Sequence, residues 1–262
     1  MIEQKLAAAA FGERPGSWPL PAAITPRQLW FRAVAAGGQG RYGSAYRDLE
    51  ALRRGVASGP LLSLAHSTLG SFVRQLGWHA VARGWDGRAL ARAGADPEAR
   101  ADALIGLAAD ALGVGRFGVA ATLLARVDIE HGVVPERLPV RRAWVAAELA
   151  MATGDGDTAV RHAEEAVELA QAMAVPAARH RVKSEVVLAA ALCSAGRTER
   201  ARAVADAALE ATGRFFLIPL RWAVTCLLID IESDTFSAQK LLEIRDICAG
   251  QVRRAGGAWR CA

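Results

Sequence analysis

A glycine stands five residues ahead of an alanine at five places in the chain: Gly40 and Ala45, Gly77 and Ala82, Gly115 and Ala120, Gly154 and Ala159, Gly196 and Ala201. Successive alanines are 37, 38, 39 and 42 residues apart, and a degenerate sixth unit follows 37 residues later at Ala238, with Ser233 in the place of the glycine. In a chain rich in both residues the pair alone says little; its near-constant spacing is the constraint. A period in this range marks a stack of supersecondary units, each unable to bury its apolar face alone.

The flanks repeat as well. In the third unit Leu104, Leu107, Ala108 and Ala111 fall at i, i+3, i+4 and i+7, one face of a helix, and Leu124 and Val127 continue the pattern beyond Ala120. Ala45, Leu49 and Leu52 do the same in unit one, and Ala201, Ala205 and Ala208 in unit five. Each unit therefore reads as helix A, a turn carrying the glycine, and helix B. The glycine closes helix A in the left-handed conformation. The alanine lies one turn into helix B, where a larger side chain would push two antiparallel helices beyond the close end of the usual spacing. Prolines mark the junctions between units (Pro26, Pro60, Pro97, Pro135 or Pro139, Pro176 and Pro219), as expected of a residue tolerated only in a first helical turn. The reading is all-α: six hairpins at 26–58, 60–95, 97–133, 139–174, 177–214 and 219–255, preceded by a flexible arm over 1–23 in which Pro15, Pro19 and Pro21 discourage continuous structure.

Composition agrees. Of the 262 residues 52% are hydrophobic and only 6% aromatic, so the core is built from Ala, Leu and Val, which favours helix over strand. The net charge is +5 and the isoelectric point about 9.4, with lysine only at 5, 183 and 240. The arginines are interspersed with acids, as in RDLEALRR, the pattern of a solvated helix face. Cys193, Cys226, Cys248 and Cys261 form no CxxC pair and read as free thiols of a reducing cytoplasm. Glu3 and the short apolar run after it argue against a signal peptide. The most apolar stretch, 215–231, is broken by Pro219 and Arg221 and is too short to span a membrane.

At this spacing the chain resembles the tetratricopeptide superfamily, in a divergent bacterial form. Leu69-Gly70, Gly77 and Ala82 of unit two, Tyr42 and Phe117 as the aromatic two residues after the glycine, and Trp222 near the start of unit six carry the resemblance. The units are longer than that family's, and Asp86 stands where it has an apolar residue; GWDG at 84–87 is placed to kink helix B. The resemblance implies an α-α superhelix, or solenoid, over 24–258, with a concave face lined by the A helices that binds proteins or peptides.

Family positions that face the groove map onto Arg27, Trp30 and Val34 in unit one and onto Ser67, Ser71, Arg74 and Gln75 in unit two. They map further onto Asp102 and Ile105, then Arg141, Trp144 and Glu148, then Lys183 and Val186. Arg27, Trp30, Arg74, Arg141, Trp144, Glu148 and Lys183 are the candidate partner-binding residues, since aromatics and arginine dominate binding hot spots. Trp30 and Val34 occupy the positions where the chaperone-binding members carry Lys and Asn, so that specificity is not expected. The implied partner is a protein or peptide with apolar anchors and acidic character.

No GxSxG, P-loop, HExxH or strand-borne GxGxxG occurs, and the glycine-rich GGQGRYG at 37–43 has neither a preceding strand nor a Lys-Ser/Thr pair. His66, His79, His131, His162 and His180 are dispersed. The expectation is a cytoplasmic adaptor or scaffold, not an enzyme, without metal or cofactor. The alternatives are a helical-repeat nucleic-acid binder, for which no recurring polar pair is present, and a sensor of a small ligand or peptide.

Overall fold

The computed structural model describes residues 1–127, 129 and 134–260. Among them it holds thirteen helices and no strand. After α1 (Ile2–Phe11) the helices pair as α2 (Pro26–Gly38) with α3 (Tyr42–Gly55), α4 (Pro60–Gln75) with α5 (His79–Ala93), and α6 (Pro97–Gly113) with α7 (Phe117–Ala125). They continue as α8 (Arg137–Ala152) with α9 (Gly156–Ala172), α10 (Ala178–Ser194) with α11 (Thr198–Arg214), and α12 (Ile218–Ile231) with α13 (Ala238–Arg254). Pro26, Pro60, Pro97 and Pro219 each occupy a first helical turn.

The glycine–alanine spacing has its physical basis in the turns. Gly40, Gly77, Gly115, Gly154 and Gly196 all have φ between 73° and 91°. The residue after each donates its N–H back across the turn: Arg41 to Ala36, Trp78 to Val73, Arg116 to Ala111, Asp155 to Ala150 and Arg197 to Leu192, at 2.8–2.9 Å. These are the helix-closing bonds that a left-handed residue permits. Ala45, Ala82, Ala120, Ala159 and Ala201 each lie at the fourth position of a B helix with no exposed surface.

The sixth unit departs from its expected register. Glu232, not Ser233, takes the positive φ, at 60°, and Ala238 opens α13 exposed to solvent. The buried fourth position there is Leu241, 1% exposed. The loop after α12 is longer than in the other units, and Ser237 caps α13 through its hydroxyl, which moves the crossing residue three positions along. The GWDG segment does not break helix B either, because α5 runs uninterrupted through it.

Two expectations are corrected by long-range packing. Residues 1–23 are not a loose arm. Leu6, Ala9 and Ala10, spaced as one helical stripe, are at most 1% exposed against α2, and the prolines begin only after α1 has ended. The following segment is tied down where Gln39 donates its side-chain amide to the Pro15 and Ser17 carbonyls at 2.7 and 3.0 Å, and where Ala178 N–H reaches the Gly12 carbonyl at 3.2 Å. Leu6→Ala is therefore expected to cost about 2–4 kcal/mol in urea unfolding, as at other buried leucines, and no change would mean that α1 is not part of the fold.

Nor is the stack an open rod with a free inner wall. Gly43 N–H donates to the Ala255 carbonyl at 2.7 Å, and Val252 of α13 joins the core built by α2, α3 and α4. Arg260 N–H bonds the Leu76 carbonyl at 2.9 Å, Trp78 Nε1–H bonds that of Ala258 at 2.8 Å, and Arg179 of α10 reaches the Val34 carbonyl of α2 at 3.2 Å. The last hairpins touch the first two, so the A helices line a partly open space between them. Trp259 stacks on Trp222, ring centres 4.3 Å apart, and covers the end of the last hairpin.

Candidate functional site

Closure of the stack leaves a cavity of about 440 Å³, walled by α2, α4, α6, α8, α10 and α12 with Phe11 at the end of α1. Of the candidate residues, Trp30, Arg74, Arg141, Trp144, Glu148 and Lys183 line it, as do Val34, Ser67, Ser71, Gln75, Asp102, Ile105 and Val186. Successive A helices present equivalent turns inward, which is why positions chosen by repeat register converge on one wall. Arg27 is the exception. It lies outside the cavity on the surface, pairing with Glu3 at 3.3 Å and covering the Phe31 ring, because the chain near the start of α2 is flanked by α1.

The two tryptophans both support the wall and form its surface. Each is 6% exposed, and each indole N–H is anchored on the neighbouring A helix: Trp30 to Thr68 Oγ1 at 3.0 Å and Trp144 to Ser184 Oγ at 2.8 Å. With their polar ends satisfied, the rings are fixed planes. Trp144 carries His180 stacked at 5.4 Å and 20°, and the Lys183 ammonium lies 4.5 Å from the centre of its ring.

Charge on the wall is sorted into two groups. Three arginines are neutralised by carboxylates. Arg74 bonds Asp86 and, at 2.7 Å, Asp110; Arg137 bonds Glu98 at 2.6 Å and lies 3.7 Å from Asp102; Arg141 bonds Asp102. The other two cations, Arg179 and Lys183, have no carboxylate within 4 Å among the described residues; Glu148 faces Lys183 from farther away. Burial, followed by repulsion from Arg137, lowers Arg179 to about 10, and burial with repulsion from Arg74 lowers Arg141 to about 10. Burial also lowers Lys183, which Glu148 opposes. His180 is held neutral, pushed well down by burial and then by Arg179, Arg137, Arg141 and Lys183 around it.

Behind Arg74 lies a feature the sequence showed only as an oddity. Asp86, in place of the expected apolar residue, is wholly buried between α4 and α6 beside Asp110. Asp86 Oδ1 and Asp110 Oδ2 are buried without a donor from another side chain, and burial raises the Asp86 carboxyl well above the usual range, Arg74 opposing and Asp110 adding to the rise. Room for the Asp86 carboxyl comes from Gly70 and Gly106, where an added Cβ would stand 2.5 and 2.4 Å from its oxygens.

Repeat register alone did not find Phe11, Arg137, Arg179, His180 or Trp222 on this wall. Phe11 and Arg137 precede the units as they were bounded, and Arg179 and His180 precede the first mapped position of α10. Their available signal was helical phase: Arg179 and Lys183 are four residues apart on one face of α10, as Arg137 and Arg141 are on α8. His131 and Cys261 lie outside the described residues; Cys193, Cys226 and Cys248 are free thiols. Among the described residues no helix is long and apolar enough to cross a membrane, and no cluster of His, Cys, Asp and Glu is arranged to hold a metal. No family model matches the chain, and no curated protein matches it in sequence.

Proposed function

We propose that the chain is a non-enzymatic binding module, a divergent tetratricopeptide-like superhelix whose concave wall encloses a compact ligand: a small molecule or the end of a peptide. The observation that carries this is the convergence of six A helices on one cavity of about 440 Å³, inside the range of about 300–1,000 Å³ typical of small-ligand sites. The indole planes of Trp30 and Trp144, locked by their hydrogen bonds, supply apolar contact at little entropic cost. The polar groups beside them serve ion pairs and helix contacts, which fits binding better than catalysis.

A fragment library and a pool of random hexapeptides screened by thermal shift test this. The expected result is at least one ligand class that raises the melting temperature of the wild type and binds tenfold or more weakly to Trp144→Ala. If every ligand found binds that variant as well as the wild type, the cavity is not the site.

A further inference from the structure

The cavity has an apolar wall on most sides and, on one turn of α10, two cations without counterions. Arg179 and Lys183 stand one helical turn apart with His180 between them. The guanidinium spends one of its five N–H donors on the Val34 carbonyl and otherwise lies 5.9 Å from the Phe11 ring. The Lys183 ammonium, which rests on Trp144, has no hydrogen-bond acceptor among the described side chains. Three buried polar atoms on the same wall are also unpartnered: His79 Nδ1, His180 Nδ1, in a residue 2% exposed, and Ser67 Oγ, in a residue 4% exposed. Arg179 and Lys183 are half-buried on this wall, so a cation there without a carboxylate is partly desolvated, and unused donors beside it add to that cost. A bound anion offsets both. The other charges facing this turn do not supply one: Arg74, Arg137 and Arg141 are already paired, and Glu148, on α8, leaves Lys183 short of contact.

We propose that the cavity binds an amphiphilic carboxylate, with its head between Arg179 and Lys183 of α10 and its apolar body against Trp30, Trp144 and Phe11. A single carboxylate suits the position: a planar guanidinium that can grip two oxygens, an adjacent ammonium, and an apolar remainder that leaves no second charge compensated. This rests on the enclosed-ligand reading above and adds the chemical class. The carboxylate belongs either to a free organic acid or to the C-terminus of a peptide.

The test is isothermal titration with decanoate, 4-phenylbutyrate and a pool of hexapeptides with free C-termini, each beside its primary amide. At least one acid is expected to bind tenfold or more tightly than its amide. Arg179→Met and Lys183→Met should each weaken the acid at least tenfold and leave the amide within twofold. Glu148→Gln should act in the opposite direction, tightening the acid severalfold by removing the one negative group that faces Lys183, which a merely disrupted cavity would not do. Urea unfolding controls for the fold, and methionine in place of a half-buried unpaired cation is expected to hold or raise the midpoint. Small acids binding alone would identify a free organic acid, and peptides binding alone a chain terminus; both support the proposal. Acid and amide binding alike, or an acid preference that survives the Arg179→Met/Lys183→Met double variant, overturns it and leaves the enclosed-ligand reading standing. Absence of binding in every arm overturns both.

Discussion

Arg74→Met is expected to cost about 3–5 kcal/mol of folding stability at pH 7, the largest effect of any single substitution considered, because it strands two fully buried carboxyls without their cation. The loss should depend on pH with a definite sign. The Asp86 carboxyl is already raised in the folded state, so the native protein holds a proton there that the unfolded chain releases near pH 4. Such a group favours the fold at low pH and loses that contribution as pH rises towards its folded value. Removing Arg74 takes away the larger of the two influences pulling Asp86 down, Arg141 being the other, so the window widens and the total loss grows. The deficit of Arg74→Met relative to wild type should therefore be small near pH 4 and grow towards neutrality in urea unfolding at a series of pH values. A deficit of equal size at pH 4 and pH 7 would rule out ionisation of Asp86 as its source.

The second large effect reverses sign with its background. Gly106 is in the interior of α6, where alanine would ordinarily be better by about 1 kcal/mol. Here a Cβ would stand 2.4 Å from an Asp86 oxygen that Arg74 and Asp110 hold in place, so Gly106→Ala is expected to cost about 2–3 kcal/mol net. In an Asp86→Ala background the three nearest obstructing atoms are gone, and Gly106→Ala should then stabilise by about 0.5–1 kcal/mol. The double-mutant cycle reads the coupling directly. If Gly106→Ala costs the same in both backgrounds, the glycine is not there to admit the carboxyl.

These two predictions concern the part of the molecule that sequence pattern described least well. Repeat register recognised Asp86 as a departure from an apolar position but carried no information about what surrounds it. Its partners are Asp110, Gly70 and Gly106, on helices whose relative depth depends on how neighbouring hairpins settle. Arg74, a candidate groove residue, lines the cavity, yet one side of it serves this buried network. The Arg27 position fails for a related reason: register specifies an angle around the helix, whereas α1 decides what surrounds the start of α2.

What the chain determined by itself is local. A left-handed residue at the end of each A helix and a minimal side chain at the fourth position of each B helix are demands of one hairpin, met within about forty residues and legible as spacing. From these follow the helical class and the pairing of consecutive helices into hairpins, whereas the candidate groove positions came from the family resemblance. Long-range packing makes α1 join the stack, brings the last hairpins against the first two, and so gives the inner wall a partly open cavity. Those outcomes depend on small rotations between successive hairpins that add up over the whole chain, and on contacts between residues more than a hundred positions apart, such as Arg179 with Val34. Arg179 and Lys183 are neighbours on one face of α10, but only the assembled wall leaves them without a carboxylate within 4 Å among the described residues.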